Sequence, residues 1–123
     1  MAERRPARVA HLVQSELAGL LLRDAKDPRL QHVTVTAVRM TPDLRVAHVF
    51  FRTLGAGDAD GSTRRALQRA AHYLRGEIGR SLGLRLTPEL RFEYDTTPDI
   101  AQRLEDLLRP GASGRTPEDE EKP

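Results

Sequence analysis

The stretch STRRALQRAAHYLRGEIGRSLGLR, residues Ser62 to Arg85, decides how the rest of the chain is read. Its apolar residues Leu67, Ala70, Ala71, Leu74, Ile78 and Leu82 fall within about 120° of arc on a helical wheel. That spacing predicts an amphipathic helix with a core-facing stripe, running to about Gly83, with Ser62 or Thr63 placed to cap it. The rest of the helix is basic. Arg64, Arg65, Arg69, Arg75, Arg80 and Arg85 stand against the single acid Glu77, a local net charge of +5. Arg65, Arg69, His72 and Arg80 lie opposite the apolar stripe, with Arg64 and Arg75 at its edge. An ordinary solvated face mixes Glu with Lys or Arg at i,i+4, which gains a little stability. Uncompensated positive charge concentrated on one face is instead the electrostatic footprint of a nucleic-acid binder.

Working upstream, Leu44 to Arg52 and Val33 to Met40 are rich in β-branched and aromatic residues, and Thr41-Pro42-Asp43 between them has turn chemistry, so they predict a hairpin. Alternation in the first strand changes parity near Ala37, which a β-bulge or a two-sided environment would absorb. Before it, Val9, Leu12, Val13, Leu17, Leu20 and Leu21 recur at spacings of three and four in a helix that Pro6 opens and Asp27-Pro28 ends. Downstream, Leu84 to Asp95 supplies a third strand with Leu90, Phe92 and Tyr94 on one face, and Pro88 implies an irregular entry. Thr97-Pro98-Asp99 starts a last helix carrying Ile100, Leu104, Leu107 and Leu108. The fold class is α+β, with a three-stranded sheet and helices packed on it. The expected domain is 1–109. Residues 110–123 hold Pro, Gly, Ser and a net charge of −2, and read as a disordered acidic tail.

Composition removes several function classes. Zero cysteine excludes a disulfide framework, a thiolate zinc site, an iron–sulfur cluster and a cysteine nucleophile. The start of the chain lacks the continuous apolar run of a secretory signal, and no segment has the length of a membrane span, so a cytoplasmic protein is expected. Of the 20 basic residues 18 are arginine, which suits bidentate phosphate contact but also follows from a GC-rich genome; position therefore matters more than number. His11, His32, His48 and His72 lack metal-ligand spacing, Asp24 and Asp27 read as a helix terminus beside a turn, and no phosphate-cradling glycine loop occurs. The expectation is a protein without catalysis, metal or cofactor. Gly76-Glu-Ile-Gly79 matches the GxxG loop with which KH domains clamp a nucleic-acid backbone, but Ile78 belongs to the apolar stripe and Glu77 has the wrong sign, so both glycines read as helix positions.

The order helix, strand, strand, helix, strand is that of a type II KH arrangement, and short motifs in the matching order make the chain resemble ribosome-binding factor A over about residues 4–108. They are Arg8-Val9, Leu17, Asp27-Pro28-Arg29-Leu30, Val33-Thr-Val-Thr36 with Val38, Asp43-Leu44 and Ala47-His-Val49. They continue with Ala70-Ala-His-Tyr-Leu-Arg75, Leu84-Arg85, Pro88-Glu-Leu-Arg-Phe92 and Asp95. The resemblance implies a KH-like domain with a helix–kink–helix in place of the GxxG loop. It implies an assembly factor of the 30S small ribosomal subunit that binds the free or immature particle and its 16S rRNA near the neck and acts as a monomer. It further implies assistance to late 16S rRNA maturation, 5′-end processing included, growth in the cold, and release aided by an assembly GTPase. The family's kink is written Ala-x-Gly; here Ala70, Ala71 and His72 occupy it, so His72 brings a Cβ where glycine is permissive. The expected rRNA contacts are Arg64, Arg65, Arg69, His72, Arg75, Arg80 and Arg85. The rival readings are a module docking its basic helix on an acidic protein, and a small RNA-processing enzyme.

Overall fold

A computed structural model describes residues 4–23, 27–54 and 61–110. The chain runs through α1 (Arg4–Arg23), a 3₁₀ turn (Pro28–His32), β1 (Val33–Met40), β2 (Val46–Thr53), α2 (Ser62–Leu82), β3 (Glu89–Tyr94) and α3 (Thr97–Leu108). β1 and β2 are an antiparallel hairpin, and β3 joins β2 in parallel on the other side, giving the order β1-β2-β3. A parallel pair needs a crossover, and α2 is that crossover. Ala47, Val49 and Phe51 of β2 are fully buried while Val46, His48, Phe50 and Arg52 are half-exposed, so one face of the sheet carries the core. Onto it α1 brings Val13 and Leu17, α2 brings Leu67 and Ile78, and β3 brings Leu90 and Phe92. Three helices and a three-stranded sheet in this order make the KH-like α+β fold expected from the sequence.

The hairpin turn is built by side chains. Asp43 Oδ1 accepts from the Thr41 hydroxyl (2.7 Å) and from the Arg45 N–H (3.1 Å), and the Thr41 N–H reaches the Val46 carbonyl (3.0 Å). Leu44 adopts φ 62°, a left-handed conformation that costs about 1–2 kcal/mol and that the surrounding bonds hold in place. The parity change read near Ala37 is a bulge: the register shifts between Val35 and Ala37, leaving Thr36 unpaired in the ladder. Its hydroxyl donates to Asp95 Oδ2 (2.6 Å), tying β1 to the end of β3.

Three details differ from expectation. The N-cap position of α2 is Gly61 (φ 72°), one residue before Ser62 and two before Thr63. β3 begins at Glu89, because 84–88 packs irregularly under α2 and Pro88 is buried. Gly83 (φ 63°) closes α2 by returning its N–H to the Gly79 carbonyl, so Leu84 starts a connection and not a strand. Ala70, Ala71 and His72 lie within the single helix α2, Ser62–Leu82. Gly76 and Gly79 are helix positions, as read. Asp24, residues 55–60 and the expected tail from 111 onward lie outside the described residues.

Candidate nucleic-acid interface

The basic residues of α2 divide into two sets according to what β3 needs. β3 is an edge strand, and its Glu89 and Asp95 N–H groups point to β2, so the alternate residues 88, 90 and 92 turn their carbonyls outward. Each outward carbonyl accepts a bond from α2. Arg75 Nε donates to Pro88 (3.0 Å), Gln68 Nε2 to Leu90 (3.2 Å) and Arg64 Nε to Phe92 (2.9 Å), and Arg75 Nη2 adds the Thr87 carbonyl (3.0 Å). Residues 64, 68 and 75 form one stripe of the helix, which stands where a fourth strand would otherwise pair. Arg75 is accordingly half-buried. Arg64 and Arg75, expected among the rRNA contacts, are therefore first of all stitches between helix and sheet. A charge count could not distinguish them from the rest, because the carbonyls they satisfy lie far along the chain.

The second set faces outward. Arg65, Arg69, His72 and Arg80 are all exposed along α2, as the helical wheel requires. Arg80 forms an ion pair with Glu77, one turn away, which partly neutralises that end. Arg69 lies close enough to Asp27 to help hold its carboxyl below the ordinary range, although the hydrogen bonds from Arg29 are the main cause. Arg29 Nε and Nη2 each stand 3.1 Å from Asp27, so another guanidinium reaches this side of the molecule from the 3₁₀ turn. Arg85 is exposed in the α2–β3 connection and lines an open cleft of ≈ 590 Å³ with Arg5, Val9, Leu44, Leu84 and Leu86.

Tyr73 was not among the residues expected here. It is 48% exposed, and on the wheel it falls beside Arg69 and Arg80, within the basic stripe. An aromatic ring between guanidinium groups offers a base something to stack on, as in single-stranded RNA recognition. The signal was legible as spacing, since residues 69, 73 and 80 share one face. Among the described residues, no three His, Asp or Glu side chains converge to hold a metal ion, and no helix is long and apolar enough to cross a membrane.

A family sequence model described as ribosome-binding factor A matches residues 5–108, which spans every described element from the second residue of α1 to the end of α3. The chain belongs to the ribosome-binding factor A family. A ribosome-binding factor A from Trichlorobacter lovleyi is 36% identical over 121 residues, 98% of each chain, and one from Hahella chejuensis is 44% identical over 83% of this chain and 80% of its own. The crystal structure of ribosome-binding factor A from Thermus thermophilus superposes with a TM-score of 0.63 at 29% identity, over 72% of this chain and 94% of that one. A homology model of the T. thermophilus ribosome-binding factor A, fitted into a cryo-EM map of its 30S complex, gives a TM-score of 0.58 at 32% identity, over 71% of this chain and 94% of that one. These likenesses agree with the KH-like architecture of the ribosome-binding factor A family described above.

Proposed function

We propose that this chain binds the 30S subunit in the cytoplasm through the outward face of α2, with Arg65, Arg69, His72, Tyr73 and Arg80 laid on 16S rRNA. The observation that carries this reading is the division of labour on α2. Arg64 and Arg75 bond to β3, yet the side away from the apolar stripe still presents Arg65, Arg69 and His72 to solvent, on a helix whose sequence holds one acid, Glu77. Membership of the family and the likeness to a protein fitted into a 30S complex support the choice of the small subunit as target.

The chemistry asked of such a face is positioning. Guanidinium groups bind phosphate by charge and paired hydrogen bonds, carrying no sequence information, so the protein recognises folded RNA by shape. His72 donates to phosphate or stacks on a base at the centre of the face. Binding energy of this kind assists late 16S rRNA maturation, including its 5′ end, by favouring one arrangement of the RNA with no bond made or broken by the protein. Residues 1–109 act as one monomeric domain, and release draws on an assembly GTPase. The test is the triple charge reversal Arg65→Glu, Arg69→Glu, Arg80→Glu. It should weaken binding to purified 30S subunits by roughly a hundredfold, about 2.7 kcal/mol, while leaving the melting temperature near that of the wild type. Undiminished binding refutes the proposed face.

A further inference from the structure

α3 is a twelve-residue amphipathic helix without a single buried residue. Ile100 (57% exposed), Leu104 (55%), Leu107 (49%) and Leu108 (82%) form one stripe along it, at spacings of three and four. Among the described residues, the bonds that tie α3 to the rest of the fold lie at its start. Asp95 Oδ1 accepts from the Thr97 N–H (2.9 Å), and Arg52 bridges the Asp95 carbonyl (2.6 Å) and the Asp99 carboxylate (3.0 Å) while its guanidinium lies 5.2 Å from the Tyr94 ring. The anchor holds the helix in a set direction and leaves the leucines uncovered. Contiguous apolar residues at such exposure mark a contact surface.

Charge identifies what fits it. Residues 97–108 carry Asp99, Glu105 and Asp106 against Arg103, a net −2, whereas α2 carries five arginines against Glu77. RNA is a poor occupant, since phosphate repels the acids and offers nothing apolar to the leucines. An anionic lipid surface is excluded by the same sign, because interfacial helices carry Lys and Arg on their polar face. The complementary occupant is a basic polypeptide with an apolar groove or helix face. We infer that α3 docks its Ile100/Leu104/Leu107/Leu108 stripe on a basic protein of the small subunit, while α2 holds the RNA. This rests on the proposed 30S binding and adds a second, protein-directed contact of opposite charge.

Two variants and one probe test it. Leu104→Asp with Leu107→Asp, in the full chain, should weaken binding to purified 30S subunits by about tenfold or more and leave binding to protein-free 16S rRNA transcript unchanged. Since no residue of α3 is buried, a thermal melt of the variant should overlay the wild type. The chain has no cysteine, so Ala101→Cys gives a single thiol beside the stripe for a benzophenone label. On purified 30S subunits the label should capture a basic ribosomal protein, identified by mass spectrometry. Wild-type affinity of the double variant for 30S, equal losses on 30S and bare rRNA, crosslinks to rRNA alone, or crosslinks to a second copy of this chain would each overturn the inference. The charge-reversed α2 variant separates the two readings: it should lose affinity for bare rRNA as well as for subunits.

Discussion

α2 and α3 are both amphipathic helices with leucines at helical spacing, yet they solve opposite problems. α2 buries Ala66, Leu67, Ala71, Leu74 and Ile78, stitches the edge of β3 with Arg64, Gln68 and Arg75, and keeps cations for the outside. α3 has no buried residue, is fastened among the described residues at its first turn, and shows leucines among acids. Periodicity tells which side chains share a face. It does not tell whether the fold supplies anything to cover that face, and here the sheet has room for two helices on its core side, taken by α1 and α2.

The largest effect expected from this contrast is on stability. Leu74→Ala removes a buried side chain from α2 and should cost about 2–5 kcal/mol in urea unfolding, while Leu104→Ala on α3 should stay within about 0.5 kcal/mol. Comparable losses at the two sites would mean that α3 packs in solution. Next comes Arg75→Met, which keeps the aliphatic stem but leaves the Thr87 and Pro88 carbonyls without their donors. A loss of about 1–3 kcal/mol, with faster hydrogen exchange in β3, is expected, against at most about 0.5 kcal/mol for the exposed Arg69→Met.

Acid should divide the helices further. The Thr36 hydroxyl, and then the Thr97 N–H, hold the Asp95 carboxyl below its ordinary 3.8. A depressed carboxylate stabilises the fold above its unfolded pKa, and that contribution is lost as pH falls through the folded value, so the α3 anchor should loosen below about pH 4. The α2 stitches run from arginine or glutamine to backbone carbonyls and contain nothing that titrates there. Amide exchange resolved by helix should show α3 opening in acid before α2, and Asp95→Asn should bring the same loosening at neutral pH. The smallest effect separates two glycines of α2. A Cβ at Gly76 meets only the tip of Arg80 at 3.9 Å, so Gly76→Ala should gain roughly 0.5–1 kcal/mol in thermal melts. At Gly79 it would stand 2.5 Å from Thr87 Oγ1, so Gly79→Ala should gain less or lose.

Much of this was legible in the sequence because it is written locally. The stripe of Leu67, Leu74 and Ile78, the hairpin around Thr41-Pro42-Asp43 and the bulge before Ala37 are all local patterns, and the structure has each of them. What escaped depends on neighbours distant in the chain. Arg64 and Arg75 look like Arg65 and Arg69 until β3 places its outward carbonyls beside them. Tyr73 escaped for a different reason: counting charge on the face hid the one aromatic within it.

The central claim is that the outward side of α2 binds rRNA by charge, and the salt dependence of that binding tests it most directly. Affinity for 16S rRNA should be measured from low to high monovalent salt for the wild type and for Arg65→Glu, Arg69→Glu, Arg80→Glu. Each phosphate contact contributes about 0.7 to 0.9 to the log–log slope, so the variant's slope should be shallower by about 2 units. Equal slopes and equal affinities for the two proteins would contradict the account.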